Sequence, residues 1–293
     1  MMQIDSGICF HRWKQIPESI CIMKFDIITL FPSIYDSYFS ESILGRAQRQ
    51  GAIRIKAHDL RDFSENRQKK VVLRHGLGLS SAKRLQDSFS PRRKIDDTPY
   101  GGGVGMILQA LPILRAVSSI LKRVSGRTKI VIFSAKGKQL NQNMVYDWAN
   151  NYKNMILISG RYEGTDERAK IILKQIARDK ARNVSVEEVA IGPYVLTDGD
   201  IPVMAVVSAV SRLVPGVINW KSLQDESFGN KLFKKEKSTK DSRHVEYPHY
   251  TRPEIIEWPP RSKGKRAKKY RVPKVLLSGN HEKISEWRSA RKK

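Results

Sequence analysis

The chain has 293 residues, room for one large domain or two modest ones, and its 40% apolar content supports a packed core. Its 54 Lys and Arg outnumber 29 Asp and Glu; the resulting charge of +25 argues against an ordinary metabolic enzyme and points to a polyanion, nucleic acid ahead of a membrane surface. Two cysteines, Cys9 and Cys21, allow no disulfide framework or zinc centre, and no apolar run reaches the roughly 18 residues of a bilayer span, so the expected compartment is the reducing cytoplasm.

Residues 1–22 are interrupted by Asp5, His11, Arg12, Lys14 and Glu18, so they form no secretory h-region and read as a disordered extension. From Met23, "KFDIITLF" reads as a buried strand. "SIYDSYFSESILGRAQRQG" reads as one amphipathic helix stopped by Gly51, and "IRIKAHD" as a second strand. A polar passage follows over 59–99, then the glycine-rich "YGGGVGM", with no strand expected before it. A helix is expected through "LPILRAVSSILKRV", a strand at "KIVIFSA", a helix at "NQNMVYDWANNY", a strand at "NMILIS" and a helix over about 165–179. "PVMAVVSAVSRLV" is apolar nearly all round, the mark of a buried helix. Strands alternating with helices predict an α/β domain with a mostly parallel sheet, whose sites form at the strands' carboxyl ends.

Beyond Gly216 the character changes. Residues 231–243 hold six basic residues and 261–271 hold seven in eleven, so both are expected to bury little and to be mobile. "VPKVLLSGNHEKISEWRSARKK" reads as a short strand and a terminal helix. The organisation expected is a main domain over 23–220, a flexible basic linker over 221–243, and a small, mainly helical C-terminal domain over 244–293.

Several motifs can be weighed chemically. "YGGGVGM" fits neither phosphate-loop template: it lacks G-x-x-x-x-G-K-[ST], and G-x-G-x-x-G fails at Met106. That removes the fingerprint of a nucleotide-dependent oxidoreductase. The six histidines form no H-x-x-x-H pair, so no metal site is predicted; Mg2+ is admissible, but nothing in the sequence calls for it. "FSAKG" and "GRYEG" each leave a strand, and "IGPYVLTDGD" precedes the buried helix. One such segment is an ordinary turn; three with glycines and bare amides predict one crevice. "GRYEGTDER" adds three carboxylates, two arginines and a ring within nine residues. Trp258, Trp287 and the tyrosines of "EYPHYTRPE" stand among basic residues, a composition that suits base stacking as well as ordinary packing.

The motifs "MKFDIITLFP", "DDTPYGGGVGM", "GRYEGTDER", "IGPYVLTDGD", "VSRLVPGV", "DESF", "PHYTRPE" and "VLLSGNHEKISEWR", in this order from Met23 to about Arg288, resemble the bacterial tRNA (guanine-N1)-methyltransferases of the SPOUT class. The resemblance implies a deep trefoil knot, a homodimer, no membrane, and S-adenosylmethionine-dependent methylation of the guanine immediately 3′ of the anticodon. It implies that Phe133, Ser134, Gly137, Gly160, Tyr162, Glu163, Ile191, Gly192, Tyr194, Leu196 and Gly199 surround the methyl donor. It assigns Tyr100, Gly101, Gly102, Asp166, Ser227, His249 and Arg252 to tRNA. In the family the arginine of the "SR" pair, here Arg212, steadies charge on guanine O6, and an aspartate before "SF" is the base. Here Glu226 stands before "SF" with Asp225 ahead of it, so the base is one of these two. "SAKG" replaces the usual "SPQG", and Asp198-Gly199 replaces a glycine pair. Residues 72–95, with six basic residues and one acidic, read as an insertion, and the C-terminal domain, tRNA-binding in the family, reads as shortened. The rival reading, a non-catalytic RNA-binding protein of the same fold, has no use for Arg212 or the carboxylates at 225–226.

Overall fold

The computed structural model describes residues 23–64, 94–179, 183–219, 222, 247–259 and 267–291. The chain divides into two compact units, one ending at Ile218 and the other beginning at Asn219.

The first unit is built on a five-stranded, wholly parallel sheet. Its strands are β1 (Met23–Thr29), β2 (Ile53–Asp59), β5 (Thr128–Gln139), β6 (Asn154–Ile158) and β7 (Val184–Ala190), in the spatial order β2-β1-β6-β5-β7. Alternate side chains feed two cores, as the pleat requires. On one side Phe25, Ile27, Val131, Phe133, Met155 and Leu157 pack with α4 (Gln142–Asn151) and α6 (Asp200–Ser211) through Met144, Trp148, Val203 and Val207. On the other side Ile28, Ile130, Ile132, Ile156 and Ile158 pack with α3 (Ala110–Leu121) and α5 (Glu167–Asp179) through Ile113, Val117, Ile120 and Leu173. This unit is therefore an α/β/α layer structure, as the alternating strand and helix signals predict.

Four local expectations are corrected. The helix expected after β1 is broken into a 3-10 turn at Pro32–Tyr35, α1 (Asp36–Phe39) and α2 (Ser42–Arg49). Ser42 takes φ 50°, and the Ser40 carbonyl crowds the place of a Gly45 Cβ, so the chain turns there despite its unbroken apolar period. The glycine-rich loop does follow a strand: β3 (Asp96–Asp97) pairs antiparallel with β4 (Ile107–Leu108), and the loop joins them. The "SAKG" segment does not leave its strand for good. Phe133 and Lys138 both oppose Val189, so four residues are extruded and β5 then resumes. Gly137 permits the return, because a Cβ there would lie 2.5 Å from the Val189 amide nitrogen. Ile95, placed within the expected insertion, is a buried core residue whose carbonyl accepts from the Gln109 amide; the rest of that insertion call lies almost wholly outside the described residues, as do residues 1–22 and 231–243.

Among the described residues the second unit has both strands and helices, the helices holding more of the chain. It contains an antiparallel hairpin, β8 (Ile255–Trp258) with β9 (Lys268–Arg271), then α7 (Lys274–Leu277) and α8 (His281–Ser289). Residues 268–271, expected to be mobile, are a paired strand, because Ile255 to Trp258 offers a β-branched and aromatic partner. "KVLL", expected as a strand, is one helical turn following Pro273, whose fixed φ suits a helix start.

Candidate active site

The carboxyl ends of β5, β6 and β7 open into a cleft of about 430 Å³. Three segments line it: Phe133 to Lys136, at the start of the extrusion in β5; Gly160 to Thr165, after β6; and Ala190 to Gly199, at the end of β7 and beyond. Of the residues predicted from the sequence, Phe133, Ser134, Gly160, Tyr162, Glu163, Ile191, Gly192, Tyr194, Leu196 and Gly199 line this cleft together. Gly137 does not; it serves the close approach of β5 to β7.

The loops are held by backbone contacts that leave no room for side chains. The Gly199 amide donates to the Gly160 carbonyl at 2.8 Å. A Cβ on Gly199 would lie 2.4 Å from the Gly160 nitrogen, and one on Gly192 would strike the Tyr194 ring at 2.2 Å. The loop after β6 is also tied to the glycine-rich hairpin. Glu163 donates its amide to the Met106 carbonyl, Leu108 to Gly164, and Asp166 to Leu108. Gly105 comes so close that a Cβ would lie 2.6 Å from the Glu163 side chain. Tyr162 sits at φ 57°, an uncommon conformation for a bulky residue, and its hydrogen bond to Asp96 pushes the phenol pKa upward.

Beneath the loops is a buried polar network that sequence reading missed. Asp200, the first residue of α6, is fully buried. It accepts from Thr29 Oγ1 at 2.9 Å, from the Tyr35 hydroxyl at 2.6 Å and from Arg161 Nη2 at 2.5 Å. Burial pushes the Asp200 carboxyl up, but the nearby Ser159 hydroxyl and the Tyr35, Thr29 and Arg161 donors outweigh it and hold it below the usual carboxylate range. Burial and the Asp200 charge push the Tyr35 phenol far up. Arg161 lines the cleft with its guanidinium stacked 4.5 Å from the Phe31 ring. A buried cation, Lys170, also lines the cleft and lies 2.7 Å from Glu188 and 3.1 Å from Glu167. Burial lowers its pKa, and the two carboxylates more than restore it. These partners stand far apart in sequence, 171 residues for Thr29 and Asp200, so no local pattern announces them.

The residues assigned to nucleic acid are more dispersed. Tyr100 stands 97% exposed beside Gly101 and Gly102, both at positive φ, on the hairpin loop. Asp166 at the head of α5 accepts from Arg168 Nε and Nη2, at 3.0 and 2.6 Å, which lowers its pKa. Arg212 is exposed at the C-cap of α6. His249 and Arg252 belong to the second unit, His249 with its ring 4.6 Å from Tyr247. Asp225, Glu226 and Ser227 lie outside the described residues. Among the described residues no three His, Cys, Asp or Glu side chains gather as a metal site, and no helix is long and apolar enough to cross a membrane.

Comparison with known proteins gives one consistent result. Residues 23–80 and 82–293 match the family model described as tRNA (guanine-1)-methyltransferase TrmD. Among curated proteins, a tRNA (guanine-N(1)-)-methyltransferase of Thermomicrobium roseum is 38% identical over 266 residues, covering 91% of this chain and 77% of that protein. The protein of that name from Clostridioides difficile is 39% identical over 267 residues, covering 91% of this chain and 90% of that one.

Proposed function

This chain belongs to the tRNA (guanine-1)-methyltransferase family, and from that premise we propose that it methylates N1 of guanine in tRNA, at the position immediately 3′ of the anticodon, with S-adenosylmethionine as donor. The observation that carries this reading is the cleft formed by three glycine-bearing loops at the carboxyl ends of β5, β6 and β7. Its volume is within the about 300–1,000 Å³ of small-molecule sites. The absence of side chains at Gly160, Gly192 and Gly199 lets a flat adenine approach the loop backbone closely. Glu163 brings a carboxylate to a cleft that also holds Arg161 and Lys170, and its charge favours the cationic end of the donor.

When bound, the donor supplies a methyl group on a positively charged sulfur. The protein must present the guanine and manage one proton. N1 is protonated in neutral guanine and becomes nucleophilic as that proton leaves, so a base is needed, with a cation for the charge that grows on O6. Arg212 takes the second role, and a carboxylate of the Asp225–Glu226 pair takes the first. Tyr100, Gly101, Gly102, Asp166, Ser227, His249 and Arg252 contact the tRNA.

The Gly199–Gly160 hydrogen bond and the packing of α6 on α4 and β1 are in keeping with a deep trefoil knot threaded by the segment after β7. The working form is a homodimer in the cytoplasm, where tRNA is modified. The test is transfer of labelled methyl from S-adenosylmethionine to anticodon-stem transcripts that differ only in carrying guanine or adenine 3′ of the anticodon. Methylation confined to the guanine transcript supports the reading; none on either transcript overturns it.

A further inference from the structure

We propose that one face of the β8–β9 hairpin is a stacking platform for unpaired RNA bases. Ile256 pairs with Tyr270 and Trp258 pairs with Lys268. Directly opposed residues in an antiparallel pair share a face, as do residues two apart on a strand. Ile256, Trp258, Lys268 and Tyr270 therefore occupy one face together. That face is open: Trp258 is 61% exposed, Ile256 52% and Tyr270 51%. Lys268 Nζ lies 5.4 Å from the centre of the Tyr270 ring, so the ring is flanked by a cation. Glu257, one of the few acidic residues here, faces the other way, paired with Lys269 at 3.0 Å.

Charge decides the occupant. Residues 255–271 contain seven Lys or Arg against one Glu, and the whole chain carries +25. A protein partner for such a face would have to be acidic; a nucleic acid supplies the anion at every residue and a flat ring for each aromatic. Two rings across a narrow ribbon with lysine between them suit bases splayed from a single strand, not a duplex, whose bases are already stacked. The inference rests on the reading of this chain as an RNA-modifying enzyme, and it adds a binding surface on the second unit.

The test uses the full chain and a labelled tRNA transcript, with affinity measured across a range of salt. Trp258→Leu and Tyr270→Leu keep apolar bulk and remove the ring; Trp258→Phe and Tyr270→Phe keep a ring. Each leucine variant should weaken binding by about five- to 100-fold at every salt concentration, the phenylalanine variants should stay near wild type, and the log–log salt slope should not change. Lys268→Ala should instead reduce that slope by about 0.7–0.9. Unpaired oligouridine should compete for the site, and an RNA duplex of equal length should compete less well. Affinity of S-adenosylmethionine should be the same in all variants. If Trp258→Leu lowers the thermal midpoint, the Tyr270 pair of variants decides. Leucine variants that bind as tightly as the phenylalanine ones overturn the platform. So does a leucine variant whose main effect is to break up an assembly of the chain, which would make the face a protein contact. A wild-type chain that methylates no tRNA defeats the proposed function; one that methylates tRNA while the leucine variants bind normally defeats only this inference.

Discussion

Arg161 Nη2 lies 2.5 Å from Asp200 Oδ2, joining the loop after β6 to the first turn of the helix after β7. The carboxylate is fully buried, whereas the arginine reaches the cleft. Asp200 also accepts from Thr29 and Tyr35, so one anion fixes two cleft loops to the end of β1 and the turn that follows it. Arg161→Met keeps the bulk over Phe31 but leaves a buried negative charge without its cation. The folded state should lose about 3 kcal/mol. A lower urea midpoint, together with weaker donor binding in a titration, checks this; an unchanged midpoint would show that the hydroxyl donors suffice.

The same network sets a pH dependence. The Asp200 pKa is lowered in the fold from an ordinary value of 3.8, so the native state resists protonation more than the unfolded chain does. Its contribution is present above that value and is lost as pH falls below it. The Tyr35 pKa is raised from an ordinary 10.0, so its contribution is present below pH 10 and is lost in alkali above it. Stability should therefore be level through the neutral range with respect to these two groups and decline at both ends. Denaturant melts across pH test this. Tyr35→Phe should flatten the alkaline limb and, because it removes one donor to Asp200, make the acid limb shallower, whereas Thr29→Val should affect the acid limb.

Gly199 offers a cleaner test of the loop contact. An added methyl would lie 2.4 Å from the Gly160 backbone nitrogen, which has no flexible side chain to move aside. Gly199→Ala must push the loops after β6 and β7 apart. Overpacking of this kind costs about 1–3 kcal/mol. Since both loops line the cleft, donor affinity should fall with stability. Calorimetric titration with S-adenosylmethionine would show it, and unchanged affinity would mean that the Gly160–Gly199 contact lies outside the binding geometry.

The sequence conveyed much of this site because its three loops are short segments rich in glycine and polar residues next to strong strand signals. "NMILIS" running into "GRYEG" marks the segment as the lip of a crevice by adjacency, and the family resemblance singles out Gly160, Tyr162 and Glu163 within it. The network underneath was hidden for the opposite reason. Thr29, Tyr35, Arg161 and Asp200 meet only because β1, β6 and α6 converge, and none of the four breaks a local pattern. The break near Ser42 was hidden too, since the apolar period runs through it and only the close approach of the Ser40 carbonyl to Gly45 reveals the turn. In the second unit, the basic residues of 261–271 obscured a strand whose partner, Ile255–Trp258, carries the β-forming residues.

The final prediction concerns the proton. Arg212 caps α6, the helix that Asp200 anchors at its other end, so the guanidinium is carried on an element fixed to the cleft loops. In the proposed mechanism the base is a carboxylate of the Asp225–Glu226 pair, next to Ser227 in the sequence. Glu226 directly precedes Ser227-Phe228, where the related motif carries aspartate. Its side chain is one methylene longer than that of aspartate. Removing a general base typically costs about 10²–10⁴ in rate. Glu226→Gln should slow single-turnover methylation by that order while S-adenosylmethionine binds as before, and Asp225→Asn should have a small effect. Because deprotonation is then left to water, the residual rate of Glu226→Gln should rise with pH, whereas the wild-type rate should level off once the carboxylate is ionised. Reversed effects would assign the role to Asp225. Equal, full activity in both variants would mean that the proton leaves by a route that uses neither carboxylate, and Arg212 would then have to lower the N1 barrier by stabilising O6 alone.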